Sequence, residues 1–131
     1  MIRESAFRGC SSLPVFSVPW GTVSLSNYVF CDCSSLRAVK LPETLTSIGM
    51  RTFDGCESLE ALVLPDGLET IGQYAFCGCT SIREIVIPKS VTKIQANAFS
   101  GWTEEQTIIL QCDPSAVTGS FDTAAQIVWA S

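Results

Sequence analysis

The sequence predicts an α/β repeat: a solenoid of 23-residue rungs with a parallel β-sheet on one face and little regular helix. Three observations carry that reading. Phe7, Phe30, Phe53, Phe76 and Phe99 recur every 23 residues, and Pro19, Pro42, Pro65 and Pro88 keep the same interval. Further apolar columns march in register with them: Ile2, Leu25, Ile48, Ile71, Ile94; Leu13, Leu36, Leu59, Ile82; Phe16, Val39, Leu62, Ile85, Ile108; and Val18, Leu41, Leu64, Ile87, Leu110. A fixed period of this size means that each unit buries its apolar side only against its neighbours.

The 131 residues are read as one solenoid over 1–131, with rungs of about 2–24, 25–47, 48–70, 71–93 and 94–110 and a C-terminal cap over 111–131. Within a rung the strand comes first. In Leu36-Arg37-Ala38-Val39-Lys40-Leu41 the apolar residues follow an L-x-x-L-x-L pattern, which directs Leu36, Val39 and Leu41 inward. Such strands stack in parallel at about 4.8 Å per rung. The proline after each lacks an N–H and ends it.

Beyond the proline, Leu45, Leu68 and Val91 join the isoleucine column on an opposite, extended or irregular wall. The stretch from Arg51 to Cys56 and its equivalents read as one helical or 3₁₀ turn. It is closed by Gly9, Gly55, Gly78 or Gly101 at positive φ, with Asp32 a tolerable substitute. The phenylalanines should then form a continuous ring stack, each burying about 150 to 250 Å². After Leu110 the period breaks: Gln111 stands where proline belongs, and Ala125-Gln126-Ile127-Val128-Trp129 reads as a last strand arriving four residues early.

The words Leu-Pro-x-x-Leu-x-x-Ile-Gly-x-x-x-Phe-x-Gly-Cys-x-Ser-Leu at Leu41 to Leu59, and their near copy at Leu64 to Ile82, resemble the BspA-like branch of leucine-rich repeat proteins. The resemblance implies a right-handed solenoid. It also implies secreted or cell-surface proteins of host-associated bacteria that adhere to host extracellular proteins or to neighbouring cells. On that basis the expected function is a non-enzymatic protein-binding or adhesion module, the C-terminal part of a longer array. The alternative is a structural spacer or scaffold without its own ligand.

Charge and composition narrow the partners. Eight Lys plus Arg against 13 Asp plus Glu give a net charge of −5, with no basic cluster, so nucleic acid is not an expected partner. No run approaches the roughly 20 apolar residues of a membrane span. The chain has no histidine, the commonest general base, and no phosphate-binding glycine loop; no catalytic residue and no cofactor are assigned.

The seven cysteines include a column, Cys10, Cys33, Cys56 and Cys79, with Trp102 in the fifth place. Neighbours in that column lie within disulfide reach, yet they point the same way and pack well as buried thiols. Free thiols are therefore favoured over bridges. The pairs Cys31-Asp32-Cys33 and Cys77-Gly78-Cys79 have the wrong spacing for zinc and stand two rungs apart, so no metal is assigned. Cys31, Cys77 and Cys112 are less constrained, and Cys31 or Cys77 is expected to be exposed enough to oxidise.

What remains for function is the outward side of the sheet. One column there reads Ser17, Lys40, Val63, Val86, Ile109; another reads Pro14, Arg37, Glu60, Arg83, Gln106. An apolar stripe rimmed by charges can mark a binding face. The plainer reading is that β-branched residues suit any sheet surface. The candidate protein-binding face is therefore Arg37, Lys40, Glu60, Val63, Arg83, Val86 and Ile109. End-to-end self-association through an uncapped first rung is a further expectation.

Overall fold

Strand positions alternate sides, so three- and four-residue strands suffice to bury one or two residues and expose the rest. In the computed structural model, which describes residues 6–10, 12–116 and 123–130, these strands are β1 (Val15–Ser17), β3 (Ala38–Lys40), β5 (Ala61–Leu62), β7 (Glu84–Ile87), β9 (Thr107–Leu110) and β10 (Gln126–Trp129). All pair in parallel, with Phe16 opposite Val39, Val39 opposite Leu62 and Ile85 opposite Ile108. They form two three-stranded ladders, β1-β3-β5 and β7-β9-β10, on the same side of the stack.

The opposite wall is more regular than its sequence requires. Four two-residue strands, β2 (Ser24–Leu25), β4 (Ser47–Ile48), β6 (Thr70–Ile71) and β8 (Lys93–Ile94), stack in parallel in that order. Leu25, Ile48, Ile71 and Ile94 point inward and are buried. The column before the tyrosine-bearing turns brings backbones together: a Cβ on Gly72 would lie 2.6 Å from the carbonyl carbon of Gly49, so only glycine fits there.

The turn expected to be helical or 3₁₀ is instead a series of reverse turns. Asp54 N donates to Arg51 O and Cys56 N to Phe53 O, but the intervening amides go to the next rung: Arg51 N to Gln73 O, Phe53 N to Ala75 O, Gly55 N to Cys77 O. A helix would claim those amides for itself. Spending them between rungs makes this segment a third hydrogen-bonded wall. Left-handed residues make the alternation possible. Gly9, Gly55, Gly78, Gly101 and Asp32 adopt positive φ as expected, and a second set, Tyr28, Arg51, Tyr74 and Asn97, does so at φ of 55 to 63° without glycine. The only helix among the described residues is a 3₁₀ turn at Pro114–Ala116, which packs against β8.

The core is a set of vertical stacks. Phe7, Phe30, Phe53, Phe76 and Phe99 lie ring on ring, with successive centroids 5.4 to 5.5 Å apart and planes within 14° of parallel. Trp102 closes the row edge-on against Phe99 at 5.1 Å. Ile2 and residues 117–122 lie outside the described residues.

Beside this row runs a ladder of thiols. Cys33, Cys56 and Cys79 each donate S–H to the carbonyl of a phenylalanine in the preceding rung (Phe7, Phe30 and Phe53) at 3.0 to 3.1 Å. Trp102 takes the next step with its indole: Nε1 donates to Phe76 O at 2.8 Å. The column thus selects a small or flat side chain that carries one buried donor. All seven cysteines are free thiols. Of the two thiols named as exposed enough to oxidise, Cys31 is buried and Cys77 is half-buried.

Candidate protein-binding face

The candidate face grows from the alternation of the strands. Val39 in β3 is buried, so Lys40 points out; Ile85 and Ile87 in β7 are buried, so Val86 points out. Val63 follows β5 directly and is 82% exposed; Val86 is 39% exposed. In β9 Ile109 stands opposite Val86 on one side and Val128 of β10 on the other. That last pairing half-covers Ile109 and extends the apolar stripe to Val128, which is 47% exposed. Strand spacing puts these in-register side chains about 4.8 Å apart.

Val128 was not foreseen as part of the face. Its rung arrives four residues early, so no 23-residue offset points to it. The pairing with Ile109 is what places it in the column.

The charged rim is also where the alternation puts it. Arg37, Glu60 and Arg83 are exposed in the turn that leads into each strand. Arg37 and Glu60 pair at 4.0 Å with both side chains mostly in solvent, a geometry that adds little stability and leaves both charges available to a partner. Lys40 and Arg83 make no ion pair among the described residues.

Gln106 departs from its column. It is buried, with Nε2 donating to Cys79 O at 2.9 Å and Ile82 O at 2.8 Å, while Oε1 accepts from Thr103 N. The cause is a slip of one residue before β9. Glu105 occupies the leucine column and cannot be buried as a bare charge, so the chain turns one residue later and Gln106 fills the interior instead.

Two shallow grooves lie along the face and share Val63. One, of ≈ 490 Å³, is lined by Val15, Lys40, Leu41, Glu43, Val63 and Pro65 and is mostly apolar. The other, of ≈ 270 Å³, includes Leu62, Val63, Glu84, Val86, Pro88 and Gln111. Lys40 sits in the first as its cation. Val15, an exposed apolar residue on β1, adds to the surface.

The turn wall carries a different pattern. The Arg8 guanidinium lies 5.0 Å over the Tyr28 ring and that of Arg51 4.2 Å over Tyr74; Asn97 donates to the Tyr74 hydroxyl. Arg51 also bonds Asp54 at 2.6 Å, and that contact raises its pKa. These cations are already engaged within the protein, so this wall presents fewer free charges than the sheet face.

The periodic columns, parallel ladders and phenylalanine row agree with comparison to known families: residues 1–120 match six copies of the BspA type leucine rich repeat region. The chain belongs to the BspA-type leucine-rich repeat family. This BspA-type chain is similar to a leucine rich repeat protein of T. pallidum, with 34% identity and a TM-score of 0.78 over 81% of the chain and 50% of that protein. It is also similar to a leucine-rich repeat protein from Bacteroides ovatus ATCC 8483, at 29% identity and a TM-score of 0.70 over 88% of the chain and 29% of that protein. The BspA-type chain therefore spans half or less of the length of these relatives. No curated protein matches it significantly.

Proposed function

We propose that the chain is a non-enzymatic protein-binding module of a bacterial cell-surface protein and that it contacts host or neighbouring-cell protein through the sheet face. The observation that carries this reading is the outward-facing apolar stripe of exposed Val63, Val86 and Val128 with half-covered Ile109, bordered by Lys40, Arg37, Glu60 and Arg83. Side chains on the outward side of a strand gain nothing from burial within the monomer, and a contiguous apolar set rimmed by charge favours a partner. Membership of the BspA-type family supports the surface location and the adhesive role.

The test is a triple charge reversal, Arg37→Glu, Lys40→Glu and Arg83→Glu, applied to binding on an immobilised extracellular-matrix protein preparation. Binding should weaken about tenfold or more, mainly through slower association, while the melting temperature holds. A wild-type chain that does not bind, or a variant that binds equally well, would instead favour the spacer reading.

A further inference from the structure

We infer that the wall opposite the sheet face carries a second binding site, one for a saccharide that bears a single carboxylate. A groove of ≈ 440 Å³ lies there, lined by Asn27, Ser47, Met50, Thr70, Lys93 and Gln95, with Gly49 and Gly72 between them. Strand alternation builds one part of it. Ile48, Ile71 and Ile94 face the core, so Ser47, Thr70 and Lys93 of β4, β6 and β8 stand outward in one in-register row. Successive members of that row are about 4.8 Å apart.

Two side-chain amides bracket the groove. Asn27, from the preceding rung, accepts from Met50 N through Oδ1 at 2.8 Å, and Gln95, from the following rung, accepts from Gln73 N through Oε1 at 3.1 Å. Met50 and Gln73 are equivalent positions one period apart, so the two side chains reach toward each other along the stack from either side of Gly49 and Gly72. A backbone N–H can donate only to the amide oxygen, which fixes both amides and leaves each NH₂ as a preset donor. Neither NH₂, nor the hydroxyl of Ser47 or Thr70, has a hydrogen-bond partner among the described residues.

The lining selects the ligand. It holds one cation, Lys93, which makes no ion pair among the described residues, and no carboxylate, in a chain of net charge −5. Glu69, beside Thr70 in sequence, is exposed but does not line the groove. A phosphate or sulfate calls for several cations or a nest of free backbone N–H groups. Here the N–H groups of Gly49, Met50, Gly72, Gln73 and Gln95 are all spent within the protein. A protein partner calls for apolar anchorage, yet Ile48 and Ile71 are buried and Met50 is the one apolar side chain of the lining open to solvent. What fits is one carboxylate against Lys93 amid neutral hydroxyls, which Ser47 and Thr70 can meet as donors or acceptors and the two NH₂ groups as donors. Those are the groups of a sugar acid within a saccharide.

Titration of the 131-residue chain with sialyllactose, a neutral disaccharide carrying one sugar acid, tests this beside lactose and sodium acetate. Sialyllactose alone should bind to saturation, moving the backbone NMR signals of Ser47, Thr70, Lys93 and their neighbours. Lys93→Gln should weaken it about tenfold and Thr70→Val about threefold. Both side chains point out of two-residue strands, and circular dichroism checks that each variant keeps its fold. Equal binding of lactose would leave the Lys93 charge without a role, and equal binding of acetate would reduce the groove to a surface cation; either result overturns the inference. So would sialyllactose that does not bind, binding that both folded variants leave unchanged, or signal changes centred on Lys40 and Val63 of the sheet face.

Discussion

Phe53 and Phe76 each lie between two parallel rings and are fully buried, so truncating either empties a site that neighbouring rungs hold open from both sides. Phe53→Ala or Phe76→Ala should cost about 3 to 5 kcal/mol, read as a shift of the urea midpoint at constant slope. The thiols beside them give a second residue-scale prediction. Burial, with help from Asp32 and Asp54, pushes the Cys31 thiol from the ordinary 9.0 up to about 11, and burial likewise raises Cys33, Cys56 and Cys79. The folded state then holds these protons more tightly than the unfolded one. Their contribution is complete below pH 9.0 and is lost as the pH climbs through about 11 and beyond. Urea midpoints should therefore fall above pH 9.0, and Cys56→Ser with Cys79→Ser should flatten that fall, since serine forms no comparable anion. An identical alkaline slope in the double variant would remove the thiols as its cause.

At the scale of elements, the passage into β9 depends on one side chain. Gln106 satisfies two carbonyls of the previous turn and one amide of its own. Gln106→Ala should cost about 2 to 4 kcal/mol because it strands those groups away from water, and hydrogen exchange of β9 amides should accelerate first. Glu105 in a leucine column was the available warning of this slip, but a column count cannot say which neighbour moves in. The strands, the phenylalanine row and the glycine turns were legible because the same physical demand recurs in every rung. The left-handed residues at Tyr28, Arg51, Tyr74 and Asn97 were not, since two tyrosines, an arginine and an asparagine share no property that signals positive φ. For the candidate face, Lys40, Val63 and Val86 followed from strand alternation alone. The cover over half of Ile109 did not, because it depends on how a shortened rung pairs.

For the molecule as a whole, the inter-rung bonds have a direction. Sheet strands, the opposite wall and the turn wall all join neighbouring rungs by backbone hydrogen bonds that run along the stack. Force applied between the two ends loads those bonds one interface after another, and no single strand pair carries the total. The stack should therefore peel a rung at a time, each release adding roughly 75 Å of extended chain, a sawtooth that single-molecule pulling would resolve. A chain that instead ruptured in one event would show that the rungs fail together. Yielding in instalments gives an extensible tether, able to absorb a pull by lengthening while the unbroken remainder stays folded.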